Sequence, residues 1–219
     1  MRSWPRCTCR SARARSETQR PVTAAAAASS PRSGLDLAAA VASTFPMYSI
    51  RRATVDDAPV VSALAAHTFT ETFGDSYPPQ DLQQFLQTAY AEERQRVILA
   101  HPDYAVWLLE CDGEAVGHTA AGPCGLPHPQ VQPGDGEIKR LYLTRSHQNC
   151  GWGSRLLETA LQWLEREGPR TLWLGVWSEN FGAQRFYARY GFSKVGEYLF
   201  PVGAVNDLEF ILRRPPTPR

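Results

Sequence analysis

Residues 137–167 hold a strand, a glycine-bearing turn and a strongly amphipathic helix in immediate succession, and few arrangements satisfy all three. Glu137–Thr144 reads as a strand. In Gly151–Glu167, Leu156, Leu157, Ala160, Leu161 and Leu164 recur at helical spacing, and Gly168-Pro169 ends the run. A helix with one such apolar stripe must bury it against a sheet or other helices. Between the two lies Gln148-Asn149-Cys150-Gly151-Trp152-Gly153-Ser154. Gly151 and Gly153 let the chain turn sharply and approach a ligand without a Cβ in the way. The helix that follows directs free N–H groups and the positive end of its dipole outward, an anion site suited to a pyrophosphate. A plain strand-to-helix turn would have the same spacing. The loop is not a P-loop, since no Gly-Lys-Ser/Thr follows, and it has two glycines where a dinucleotide fingerprint needs three.

The surrounding pattern predicts an α/β chain with a central mixed sheet of six to seven strands flanked by about four helices. Tyr48–Ala53 reads as a strand. Asp56 or Asp57 can cap a helix that tolerates Pro59 in its first turn and runs to about Phe73, where Gly74 stops it. Asp81–Arg96 reads as a second helix or a helix pair. Tyr104–Cys111 and Glu114–Ala121 flank an Asp112-Gly113 hairpin turn. Gly122–Gly136, with four Pro and four Gly among fifteen residues, reads as a long loop. After the central helix come a strand at Arg170–Trp177, a helix at Phe181–Tyr190, and strands at Phe192–Phe200 and Asp207–Leu212. The predicted order is β-α-α-β-β-β-α-β-α-β-β, with no internal repeat.

The first 46 residues differ in kind. They carry seven arginines against Glu17 and Asp36, are rich in Ser, Ala and Pro, and contain the run Ala24–Ala28. Such a stretch has too few large apolar residues to offset its ordering entropy. It is expected to be a disordered extension or a targeting segment, or to precede a true start at Met47. The domain is then 47–213, with 214–219 as a tail. From residue 47 onward 16 basic side chains face 20 acidic ones, which offers no electrostatic footprint for nucleic acid. No apolar run approaches the ~18 residues of a membrane span. Five cysteines, two in the extension and three scattered, make neither a disulfide framework nor a zinc site, so a reducing, cytoplasmic setting is expected and no metal.

Downstream, Asn180-x-x-Ala183-x-x-Phe186-Tyr187-x-x-x-Gly191-Phe192 reads by itself as an amphipathic helix burying its aromatics, stopped by Gly191. Taken with Gln148-x-x-Gly151-x-Gly153 one helix and one strand earlier, it resembles the GNAT acetyltransferases over roughly residues 48–212. That resemblance implies an N-acetyltransferase that moves an acetyl group from acetyl-CoA to a primary amine in a ternary complex. It implies that the main chain of Gln148, Asn149, Cys150, Gly151, Trp152 and Gly153, with Ser154, holds the CoA pyrophosphate. The strand at Leu141, Tyr142 and Leu143 would pair its backbone with the pantetheine arm and supply an oxyanion N–H. Asn180 would bond the same arm or an ordered water. Tyr187 would stand near the sulfur as general acid, since a phenol can return a proton to a departing thiolate. Glu137 resembles the strand carboxylate that serves as base, with His118 the poorer candidate. Cys150 is poorly placed for a covalent route.

The acceptor side is expected from the two early helices, the loop at Gly122–Gly136 and the last two strands. Thr68-Phe69-Thr70-Glu71-Thr72-Phe73-Gly74 followed by Asp81-Leu82-x-x-Phe85-Leu86 resembles PaiA-type GNAT proteins, which suggests a polyamine; other amines, including peptide amines, remain open. A homodimer is compatible with the resemblance. The competing class is a catalytically silent acyl-CoA sensor on the same fold.

Overall fold

The structure is a computed structural model and describes residues 46–216. Met47–Arg219 forms one compact unit. The expectations for residues 1–45 and for the last three residues of the tail lie outside the described residues. The elements run β1 (Tyr48–Arg52), α1 (Ala58–Phe73), α2 (Pro79–Ala89), α3 (Glu92–Ala100), β2 (Ala105–Cys111), β3 (Glu114–Pro123), β4 (Gly136–Leu143), α4 (Trp152–Leu164), β5 (Leu172–Trp177), α5 (Phe181–Ala188), β6 (Ser193–Val202) and β7 (Val205–Arg214). The strands form a single seven-stranded mixed sheet ordered β1-β2-β3-β4-β5-β7-β6.

Local chemistry accounts for most of the boundaries. Thr54 and Asp57 form a capping box ahead of α1, and Pro59 sits in its first turn, where its missing N–H costs nothing. Asp112 (φ 51°) and Gly113 (φ 85°) supply the two positive φ values that a tight β2–β3 hairpin requires. The 81–96 segment is a helix pair. It starts two residues earlier, at Pro79, breaks at Tyr90, and continues to Ala100. The break is fastened from α1, where the Ser62 hydroxyl donates to the Tyr90 carbonyl at 2.5 Å. The loop expected over 122–136 shortens to 124–135, because β3 runs to Pro123 and β4 opens at Gly136. The last two strands are longer than the apolar pattern indicated and close as a hairpin from Val202↔Val205 outward.

One face of the sheet carries α4 and α5. Leu156, Leu157, Ala160, Leu161 and Leu164 pack there against Trp107, Leu109, Ile138, Leu172, Leu174 and Leu212. The other face carries α1 to α3 over Val106, Leu108 and Ala120 and an aromatic group around Phe69, Phe73, Tyr77 and Tyr90. The feature that positions the site lies between β4 and β5. They are parallel neighbours but pair only at Gly136↔Leu172 and Glu137↔Trp173. Beyond Glu137 they splay, and the β5-facing main chain of β4 is left with no strand partner.

Candidate functional site

The opened edge of β4 leads directly to the glycine turn. Leu141 and Leu143 pack into the α4 face, whereas Tyr142 alternates to the opposite face and lies over the His118 ring, centroids 5.8 Å apart. After Leu143 the Gln148 side chain reaches back and donates to the Leu143 carbonyl at 3.1 Å, fixing how the chain leaves the strand. Asn149 (φ 62°) and Gly151 (φ 85°) both take left-handed conformations, so the main chain curls and brings successive N–H groups round to one side. Gly151 is the N-cap of α4 and no side chain bonds the first-turn N–H groups. Half-buried Gly153 and Ser154 follow in that first turn. Trp152 turns away from the opening and stacks on Tyr48, with ring centroids 4.6 Å apart. The turn thus presents main-chain N–H groups at a helix N-terminus, a geometry that suits an anion.

On the far side of the splay, Asn180 caps α5: its Oδ1 accepts from the Ala183 N–H at 3.0 Å. Gln184 holds the end of β5 by donating to the carbonyls of Trp177 (3.2 Å) and Ser178 (2.9 Å). Tyr187, one turn further along, is buried against Phe186 and Phe192. Its hydroxyl has no hydrogen-bond partner among the described residues. Burial pushes its pKa well above the ordinary phenol value, so it stays protonated and has a proton to give.

The other face of the same splay opens into a cavity of about 690 Å³ walled largely by aromatic rings. Glu137 stands in that wall, buried, bridged to Lys139 at 2.5 Å and accepting the Gly125 N–H at 2.8 Å. Opposite it, β7 contributes Asp207, which accepts from the Tyr77 hydroxyl, and Glu209, which accepts from the Tyr198 hydroxyl at 2.5 Å. Glu209 lies over Gly175 of β5, where a Cβ would come within 2.6 Å of its Oε2. Burial first, and the nearby Asp207 and Glu137 charges after it, raise the Glu209 pKa, while the Tyr198 bond opposes the shift. Tyr142 lines the same cavity: burial raises its pKa well above the usual value, and the charges of Tyr90, Glu209 and Tyr187 add to the effect.

Residues 66–192 match the model of the acetyltransferase (GNAT) family. The chain belongs to the GNAT family. An uncharacterized N-acetyltransferase of Lactobacillus delbrueckii subsp. lactis is 32% identical over 158 residues, covering 72% of this chain and 91% of the relative. An uncharacterized N-acetyltransferase of Mycobacterium tuberculosis (strain ATCC 25618 / H37Rv) is 28% identical over 158 residues, covering 72% of this chain and 97% of that one. Among solved structures, the PaiA N-acetyltransferase of Thermoplasma acidophilum in complex with coenzyme A superposes with a TM-score of 0.63 at 18% identity. That match covers 77% of this chain and 99% of that one. The ribosomal-protein-S18-alanine N-acetyltransferase of Escherichia coli superposes with a TM-score of 0.59 at 18% identity, covering 79% and 96%. These structural likenesses carry the fold.

Against the GNAT frame, Leu141 to Leu143, Gln148 to Ser154, Asn180 and Tyr187 gather around one splay. Glu137 stands at its root, where β4 and β5 last pair. Several of these side chains are occupied within the protein: Gln148 by the Leu143 carbonyl, Cys150 by the Gln148 carbonyl, the Asn180 side-chain oxygen by the helix cap, and Glu137 by Lys139 and the Gly125 N–H. Glu209, Asp207, Tyr198 and Arg140 are the cavity residues that sequence reasoning missed. A signal for two of them was present. On β7, Asp207 and Glu209 alternate with Leu208, so the carboxylates share a face with inward Ile211 while Leu208 is 38% exposed. An amphipathic strand with its polarity inverted marks a polar lining rather than a solvated face. Among the described residues no cluster of side chains is arranged to hold a metal ion.

Proposed function

We propose that this protein transfers the acetyl group of acetyl-CoA to a primary amine held in the aromatic cavity. The observation that carries the reading is the splay of β4 and β5, which runs from the anion cradle at Gln148–Ser154 to the cavity. The cradle suits a pyrophosphate and the freed edge of β4 suits the amides of a pantetheine arm. A thioester lying along that edge places its carbonyl between Tyr187 on one side and Glu209 on the other.

In the step that follows, the acceptor ammonium gives a proton to a carboxylate and the neutral nitrogen attacks the thioester carbon. A β4 N–H near Leu141 stabilises the oxyanion of the tetrahedral intermediate. Collapse breaks the C–S bond, the electron pair leaves with sulfur, the Tyr187 hydroxyl donates to the departing thiolate, and the second proton lost from the acylated nitrogen passes to the tyrosine oxygen and restores the phenol. Glu137, Glu209 and Asp207, the last held by the Tyr77 hydroxyl, all line the cavity, and the two glutamates are not equally free. Glu137, the one legible in the sequence, is bound to Lys139 and holds the 124–135 loop through Gly125. Among the described residues Glu209 has no cationic partner, and its raised pKa brings it closer to that of a base matched to neutral pH. Glu209 therefore takes the proton, and Glu137 keeps the loop closed over the cavity.

The pH–rate profiles of Glu209→Gln and Glu137→Gln test this assignment. Glu209→Gln is expected to lower kcat by about 10²- to 10⁴-fold, the usual size of a general-base contribution. It is also expected to remove an acid limb lying above the ordinary carboxylate range, because the base works ionised and its pKa is raised. Glu137→Gln is expected to act chiefly on acceptor KM. The reverse pattern would return the base to Glu137.

A further inference from the structure

The charges lining the cavity are sorted. Glu209 and Asp207 stand together on β7, held by the Tyr198 and Tyr77 hydroxyls, with no cation paired to either among the described residues. The Glu137 carboxylate is neutralised by Lys139. The remaining cations of the lining are the exposed Arg94 and the half-buried Arg140 of β4. The Arg140 guanidinium carbon lies 4.6 Å from the centre of the Tyr90 ring, and its only polar side-chain contact among the described residues is to Gln95 Oε1 at 3.5 Å. No described carboxylate forms an ion pair with it. A half-buried guanidinium left without an anion is costly to desolvate and contributes nothing obvious to folding. Its planar fork matches a carboxylate.

Two rings link these charges. Tyr90 and Tyr142 each respond to both charges, their ionisation opposed by Glu209 and favoured by Arg140. Phe69, Phe85, Trp177 and Phe200 add apolar wall to the same cavity. The chamber thus offers carboxylate, guanidinium and ring faces that lie within reach of both charges.

Resting on the reading that this cavity receives the acceptor, we propose that the acceptor is an amine carrying a carboxylate on an apolar or aromatic body, its ammonium toward Glu209 and its carboxylate on Arg140. A linear polyamine fits the same chamber poorly. Its second ammonium would approach Arg140, and the exposed Arg94 stands at the same wall. Like charges in a partly desolvated site repel strongly. The aromatic faces suit the body of the acceptor, and those nearest Glu209 also suit its cationic end.

The test uses the full chain and matched amines: 4-(aminomethyl)benzoate against benzylamine, with spermidine alongside. In the wild-type protein kcat/KM for 4-(aminomethyl)benzoate is expected to exceed that for benzylamine by about 10- to 100-fold, the value of one charge-assisted contact. Arg140→Gln is expected to collapse that ratio and Arg140→Lys to restore part of it. A preference for benzylamine or spermidine, or a ratio that survives Arg140→Gln, overturns the proposal. Calorimetric titration of the same amines into the CoA-saturated chain separates this from the transfer reading. Tighter binding of the carboxylate amine that depends on Arg140, without turnover, sinks transfer and keeps the acceptor class. Equal binding of both amines, or none of either, sinks the acceptor class.

Discussion

His118 lies on β3 with its ring against Tyr142 and its Nε2 3.5 Å from the Thr68 hydroxyl, 1% exposed. Burial chiefly, and the Arg140 charge secondarily, push its pKa down to about 3. So weak a base cannot relieve an ammonium of its proton near neutral pH, which agrees with its lower rank as a candidate in the sequence. It has a second consequence. The unfolded chain takes up a proton at this residue near pH 6.5, whereas the folded protein does so only near pH 3. The stability that His118 contributes is therefore complete above about pH 6.5 and is lost as pH falls toward 3. Urea unfolding of the wild-type protein across that window should show a component approaching about 1.4 kcal/mol per pH unit that His118→Gln lacks. Parallel curves for the two proteins would show that the ring is protonated in the fold.

At the level of elements, legibility followed periodicity. The α4 stripe, the β2–β3 hairpin and the order of strands and helices were all readable, because each rests on local apolar spacing or on a turn whose φ values demand particular residues. A helix pair over 81–96 was one of two readings, but the position of the α2–α3 break was not readable. Nothing local marks Tyr90 as a stop, and the contact that fastens it comes from Ser62 on another helix. The lengths of β6 and β7 were missed for a related reason: their inward face carries Tyr198, Asp207 and Glu209, so the apolar pattern stops short of the hairpin. The acceptor half of the site was hidden because it is assembled from β4, β6, β7 and the early helices, which are far apart in sequence. The cradle is contiguous, and it was visible. It also gives a sharp test, because Gly151 has φ 85° and a Cβ there would meet nothing within 4 Å. Gly151→Ala should therefore cost about 1–2 kcal/mol from backbone conformation alone and weaken CoA binding, as the helix N-terminus shifts. Calorimetry with CoA and thermal unfolding measure the two effects separately. Unaltered affinity with lowered stability would make Gly151 a turn residue and nothing more.

Across the whole molecule the sheet separates two kinds of interior. The α4 and α5 face is an apolar core, and holds Leu156, Leu157 and Leu164 at or below 2% exposure. The α1 to α3 face is aromatic, polar and hollow. On the proposed function, stability and acceptor recognition are therefore concentrated on opposite sides, with the splay as the passage between them. Leu157→Ala should lower stability by about 2–5 kcal/mol, measured by urea unfolding, and leave acceptor preference as it was. A shift in preference would show that the two faces are coupled. The central claim is that one chamber receives an amine while the opposite edge of the splay presents an acetyl thioester to it. Release of CoA from acetyl-CoA by the full chain, followed with a thiol reagent over a panel of primary amines, tests that most directly. The account predicts amine-dependent release that saturates in both substrates and falls sharply in Tyr187→Phe. Tight CoA binding with no release above the amine-free rate would contradict it, and would identify a binding protein built on an acetyltransferase fold.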